Sequence, residues 1–104
     1  MNVINLKKKY KTHIRTDWKA NRYVIDSFST KDANKVLSVL DAYKSKKSIK
    51  EVAIIKYEGI PIFVTIKYSE FIELLHVLND IFLKKEDYET CAKVQSIITY
   101  FKAP

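Results

Sequence analysis

The 104-residue chain contains a single glycine, and it falls between two runs dense in β-branched and aromatic residues. Glu51 to Tyr57 supplies Val52, Ile54 and Ile55, and Ile60 to Lys67 supplies Ile62, Phe63, Val64, Thr65 and Ile66. Such residues fit the pleated surface of a sheet, and Gly59, next to Glu58, can take the positive φ that a tight turn demands. The spacing predicts a β-hairpin. Pro61 has no N–H to give to a ladder, so the second strand is expected to begin at an edge or to pair on one side only at its start.

Helical periodicity flanks the hairpin. Ala33, Val36, Leu37, Leu40 and Tyr43 form one apolar stripe over residues 31 to 46, with Ser29 and Thr30 as candidate N-caps. After the hairpin, Ser69 is expected to cap a helix over residues 70 to 83, whose Phe71, Ile72, Leu74, Leu75, Leu78, Ile81 and Phe82 make a wide apolar face. Asp87 is expected to cap a last helix that points Tyr88, Cys91, Ala92, Val94, Ile98 and Phe101 inward. The short break at Lys84 to Glu86 makes these two helices an antiparallel pair.

The N-terminal part is read less directly. Tyr10, Thr12, Ile14, Thr16 and Trp18 alternate with Lys11, His13, Arg15 and Asp17, the period of a strand with one wet face. Helix is the competing reading, because Val3, Leu6, Tyr10, Ile14 and Trp18 also fall at spacings of three and four. A turn at Lys19, Ala20 and Asn21 would lead into a second strand, Arg22 to Phe28. The expected order is ββαββαα. It describes a single α+β domain over residues 1–104, with an antiparallel sheet, a C-terminal helical hairpin packed on it, and residues 1–9 as a loose basic arm.

An apolar fraction of 47% in a chain of this length is enough for one core and too little for two. The apolar runs, such as Val52 to Ile55 and Ile60 to Ile66, fall well short of the roughly 20 residues of a membrane span, so no membrane partner is expected. Met1 to Lys11 lacks the pattern of a signal peptide, and the single Cys91 can form no intramolecular disulfide. Both point to the cytoplasm. Phe, Tyr, Met, Ile, Asn and Lys number 48 against 11 for Gly, Ala, Arg and Pro, the bias of an AT-rich genome, which lowers the weight of any one lysine.

The charge is nevertheless divided. Residues 1 to 50 carry thirteen Lys and Arg against four Asp, whereas residues 51 to 104 carry six against eight acids, so the net +7 comes from the first half. Lys7, Lys8, Lys9, Lys11, Arg15, Lys19 and Arg22 are interleaved with Tyr10, Trp18 and Tyr23, a composition suited to neutralising phosphates and stacking bases. Against stacking, Trp18 alternates in phase with Ile14 and belongs with the core. Lys44, Lys46 and Lys47, with Lys50 beyond them, can extend this basic surface, although cations at a helix C-terminus also answer its dipole. The expected partner is an acidic protein surface or a nucleic acid.

Chemistry finds little support. His13, His76 and Cys91 lie far apart without the pairwise spacing of a zinc site, and one glycine cannot build a phosphate loop. Glu70, Glu73, Glu86, Asp87 and Glu89 cluster at helix starts, where carboxylates answer the dipole. No catalytic residue, metal or cofactor is expected.

The stretch Tyr88-Glu89-Thr90-Cys91-Ala92-Lys93-Val94-Gln95-Ser96-Ile97-Ile98 resembles the second helix of the UVR motif, an interaction hairpin of nucleotide-excision-repair and some chaperone-associated proteins. Tyr88, Glu89, Ala92, Lys93, Val94 and Ile98 fit its pattern, with Cys91 in place of the first alanine. Gln95-Ser96 replaces Arg-Asp, and Glu86 stands where the family favours Leu. The resemblance covers at most residues 69 to 101 and implies that the hairpin docks onto a protein, which includes a second copy of this chain. The whole reads as a small non-enzymatic regulator or inhibitor of the kind that phages and mobile elements encode. A direct DNA- or RNA-binding module and a structural subunit of a larger assembly are the alternatives.

Overall fold

The computed structural model describes residues 14–103, in the order β1 (Ile14–Asp17), α1 (Arg22–Asp26), α2 (Thr30–Tyr43), β2 (Glu51–Lys56), β3 (Ile62–Lys67), α3 (Phe71–Lys84) and α4 (Tyr88–Lys102). Two 3₁₀ turns, Trp18–Asn21 and Tyr68–Glu70, link β1 to α1 and β3 to α3. The α+β class is therefore as the pattern predicts. Lys7, Lys8, Lys9, Lys11, Tyr10 and His13, with the arm of residues 1–9, lie outside the described residues.

The hairpin forms where expected. β2 and β3 pair antiparallel from Glu51↔Lys67 to Lys56↔Phe63, with a bulge between Ala53 and Ile55, and Gly59 turns the chain at φ 78°. Of the two expectations for the start of β3, the edge position does not hold, while at Pro61 the backbone bond runs to the β1 side. β3 is the central strand, in the order β1-β3-β2, and Pro61 is accommodated because it precedes the strand and offers only its carbonyl, which accepts the Ile14 N–H at 2.8 Å. β1 joins it in parallel, Ile14↔Ile62 to Asp17↔Thr65, so the sheet is mixed and not purely antiparallel.

The second strand expected over Arg22 to Phe28 is a helix. Trp18, Asn21, Ile25 and Phe28 are all buried and recur at spacings of three and four, a helical stripe that outweighs the β-branched Val24-Ile25 pair. An i,i+4 ion pair, Arg22 Nε to Asp26 at 3.0 Å, adds to the short helix. β1 ends at Asp17, one residue before the alternation does. Ile14, expected on the core face with Trp18, is 60% exposed, while Trp18 follows the strand and turns its ring inward at 1%.

Caps explain most helix boundaries. The Ser29 hydroxyl accepts the Asp32 N–H at 3.2 Å, and the Asp87 carboxylate accepts both the N–H and the hydroxyl of Thr90. Ser69, the expected cap of α3, instead sits inside the 3₁₀ turn, and no side chain caps that helix. α3 ends in a Schellman motif: Asp87 N–H donates to Phe82 C=O at 2.9 Å and Glu86 N–H to Leu83 C=O at 3.0 Å. Glu86 adopts φ 58° there, a left-handed conformation usually left to glycine.

One connected core joins Trp18, Ile25 and Phe28 to α2, the helix-facing side of the sheet, α3 and α4. Val64 and Ile66 face it, while Phe63 and Thr65, on the opposite face of β3, are buried as well, which accounts for the nearly unbroken apolar run of that strand. α4 contributes Val94, Ile97 and Ile98, with Cys91 and Phe101 half-buried. Tyr88 and Ala92, expected inward, are exposed, because Tyr88 is the first residue of α4 and Ala92 lies about 100° around the helix from Cys91.

Candidate functional site

The three described cations of the Lys7–Arg22 segment are each tied to an acid. Arg15 Nη1 lies 2.9 Å from Glu51, and Arg22 is held by Asp26. Lys19 Nζ bridges Glu70 at 2.9 Å and Glu73 at 3.5 Å. The hydrogen bond and charge of Lys19 hold the Glu70 carboxyl below its ordinary range, aided by the Trp18 indole N–H and the Lys67 amide. Glu70 in turn raises the Lys19 pKa. Neither Trp18 Nε1 nor Glu70 Oε1 meets a well-aligned hydrogen-bond partner, so the lysine is the principal support. The described part of this segment, from Arg15 to Arg22, is knitted into the fold.

Trp18 cannot stack on a ligand, because its ring is buried at 1%. Beside it, the buried Asn21 donates to Thr16 Oγ1 at 3.1 Å and to Asp17 C=O at 2.8 Å, and accepts the Tyr57 hydroxyl at 2.9 Å. Tyr23 is 73% exposed but lies beside Tyr57, at the end of β2 away from Lys50 and so about 20 Å along the strand. Of the described aromatics of the N-terminal segment, Trp18 is therefore core and Tyr23 an exposed ring.

A second basic group is assembled differently. At the C-terminus of α2 the chain turns through Lys44, Lys46 and Lys47 and enters β2 just after Lys50. Lys46 N–H donates to Tyr43 C=O and Ile49 N–H to Lys46 C=O, both at 3.0 Å, and the Ile49 side chain packs on the core. Tyr68 pins the segment from the other side. Its N–H donates to Lys50 C=O at 2.9 Å and its hydroxyl to Lys44 C=O. Burial, with Tyr100 nearby, raises the Tyr68 pKa and keeps that hydroxyl a donor. The Tyr68 ring packs on Phe71 and Phe101 at centroid distances of 5.0 and 5.6 Å, which brings the end of α4, with Tyr100 and Lys102, to the same corner.

Two ammonium groups are positioned by aromatic rings. Lys44 Nζ lies 5.4 Å from the Tyr100 ring centre and Lys46 Nζ 5.0 Å from that of Tyr43. Lys44 also pairs with Asp41. Among the described residues no acidic side chain pairs with Lys46, Lys47, Lys50, Lys67 or Lys102, all of them exposed. A ring orders a lysine through its quadrupole without cancelling its charge, whereas a carboxylate does both.

Lys46 and Lys47 thus remain binding candidates, joined by Lys50, Lys67 and Lys102 and by the tyrosines 43, 68 and 100. These partners come from three distant segments. Their only local signal is the recurrent pairing of an aromatic with a lysine, as in Tyr43-Lys44, Lys67-Tyr68 and Phe101-Lys102.

Elsewhere a cleft of about 590 Å³ between α1 and α3 brings Arg22 to Lys84 and Lys85 over Phe28, but Asp26 and Asp80 interrupt its rim. His76 is exposed, and the half-buried Cys91 thiol faces the Asn79 carbonyl at 3.8 Å. Among the described residues no group of His, Cys, Asp and Glu is placed to hold a metal, and no helix is long and apolar enough to cross a membrane. No protein-family model, curated protein or solved structure matches the chain. The UVR resemblance of the hairpin rests on its sequence alone.

Proposed function

We propose that this chain is a small non-enzymatic binding protein that engages a polyanionic partner through the lysines of the α2–β2 connection and the adjoining ends of β3 and α4. The observation that carries this reading is the set of five exposed lysines without acidic partners among the described residues, around a segment that Tyr68 and Ile49 hold in place. A fixed cluster of one sign focuses its field on a partner of the other sign and speeds their encounter. A regulatory or inhibitory role fits a protein whose working part is a surface and not a cleft.

Retention on immobilised heparin tests the proposal. The chain should elute from heparin at higher salt than from a sulfonate exchanger, and the variant K46A/K47A/K50A should lose that difference. Equal elution from the two matrices by the parent chain would end this reading, since net charge alone would then explain retention.

A further inference from the structure

We infer that this basic face binds the phosphate backbone of nucleic acid without reading its sequence, an inference that rests on the binding-protein reading above and names its partner. Four features favour phosphate over an acidic protein surface.

First, the cations are all lysines. Protein–protein interfaces are depleted in lysine and rely on Trp, Tyr and Arg anchors in buried pockets, whereas a phosphate backbone accepts point charges at many registers. Second, the patch offers no deep apolar anchor: Tyr68 is half-buried and hydrogen-bonded, and Tyr100 is 42% exposed with Lys44 over its ring.

Third, Lys44 and Lys46 cover the tyrosine rings that would otherwise stack bases, so contact falls to charge and not to base stacking. Fourth, the neighbouring Arg15 is held by Glu51, the cross-strand partner of Lys67, and asparagine and glutamine are absent from Tyr43–Lys50, Lys67–Tyr68 and Tyr100–Lys102, so these segments lack bidentate groups that read base edges. Lys46, Lys47, Lys50, Lys67 and Lys102 have no acidic partner among the described residues, and Tyr68 and Ile49 hold the backbone that carries the first three. Affinity without sequence preference follows.

The test is fluorescence anisotropy of the full chain with short labelled duplexes of two unrelated sequences, a single strand, and labelled poly-L-glutamate, across about 50 to 200 mM salt. Both duplexes should bind equally. Log affinity should fall with log salt at a slope between about −3.5 and −4.5, as for four or five phosphates neutralised, a loss of a few hundredfold over that range. K46A/K47A/K50A should flatten the slope by about 2.7, and Lys→Arg at the same three positions should restore it.

Binding to poly-L-glutamate with no binding to any oligonucleotide at the lowest salt would overturn the nucleic-acid partner and leave the polyanion reading intact. Binding to neither would remove both. Duplex binding with an unchanged slope in K46A/K47A/K50A, folded by circular dichroism, would overturn the placement on this face. A strong preference between the two duplexes would overturn the sequence-independent mode.

Discussion

Arg15, Lys19 and Arg22 each lie 2.9 to 3.0 Å from a carboxylate oxygen, whereas Lys46, Lys47 and Lys50 have no acidic partner among the described residues. In sequence the two groups look alike, each a cluster of cations beside an aromatic residue, Trp18 in one and Tyr43 in the other. The fold uses them in opposite ways. Between β1 and α1 the aromatic Trp18 is core and its neighbouring cations answer acids from β2, α1 and the start of α3. Beside the α2–β2 connection Tyr43 is only half-buried, and its ring orders Lys46 without neutralising it. Where the charge stands relative to its neighbours therefore matters more than how much of it a segment carries.

The contrast can be broken most forcefully at Trp18. Trp18→Ala should destabilise the chain by about 3–5 kcal/mol, read from the urea midpoint, because it empties a fully buried site. A variant as stable as the parent would return the ring to the surface and the N-terminal segment to candidacy as a stacking platform. Asn21→Ala should cost about 1–3 kcal/mol, since the buried amide links β1 to Tyr57 through three hydrogen bonds. Tyr57→Phe in the Asn21→Ala background should then cost less than it does alone, in a double-mutant cycle.

Glu70→Gln sharpens the comparison through pH. The carboxyl sits below its ordinary value of 4.5 because Lys19 favours its ionised form, so its contribution is fully present above pH 4.5 and is lost as pH falls through the lower folded value. The parent should lose stability over that acid interval, and Glu70→Gln should lack this component, with a difference of about 0.5–1 kcal/mol at neutral pH. Lys19 has the opposite sign: raised above 10.5, its contribution is present below that pH and lost as pH rises through the higher folded value. The smallest effect belongs to the other region. K46A/K47A/K50A should change stability by less than about 0.5 kcal/mol, because it removes exposed side chains without acidic partners among the described residues.

Features carried by short segments were legible in the sequence. The hairpin follows from Gly59 and the β-branched runs beside it, and Ser29 and Asp87 mark helix starts through bonds spanning three residues. Arg22 to Asp26 was harder, because the β-branched Val24-Ile25 pair competes with a helical stripe that shows only when Trp18 and Asn21 are counted with Ile25 and Phe28. The central place of β3 depends on β1 returning to it in parallel across the intervening α1, α2 and β2, a pairing that no local signal encodes. The same holds for the site. Lys46 and Lys47 were visible as cations, but what distinguishes them from Arg15 and Lys19 is a connection that Tyr68 pins through Lys44 and Lys50, with no carboxylate partner among the described residues, both set by long-range packing.

The most direct measurement compares two triple variants on immobilised heparin, each removing three positive charges: K46A/K47A/K50A and R15A/K19A/R22A. Elution is read only for protein that circular dichroism shows to be folded. If neutralisation by neighbours decides what the surface presents, the first variant should elute at much lower salt than the parent and the second only slightly lower. Equal shifts, or a larger shift for R15A/K19A/R22A, would contradict that claim and leave total charge as the determinant.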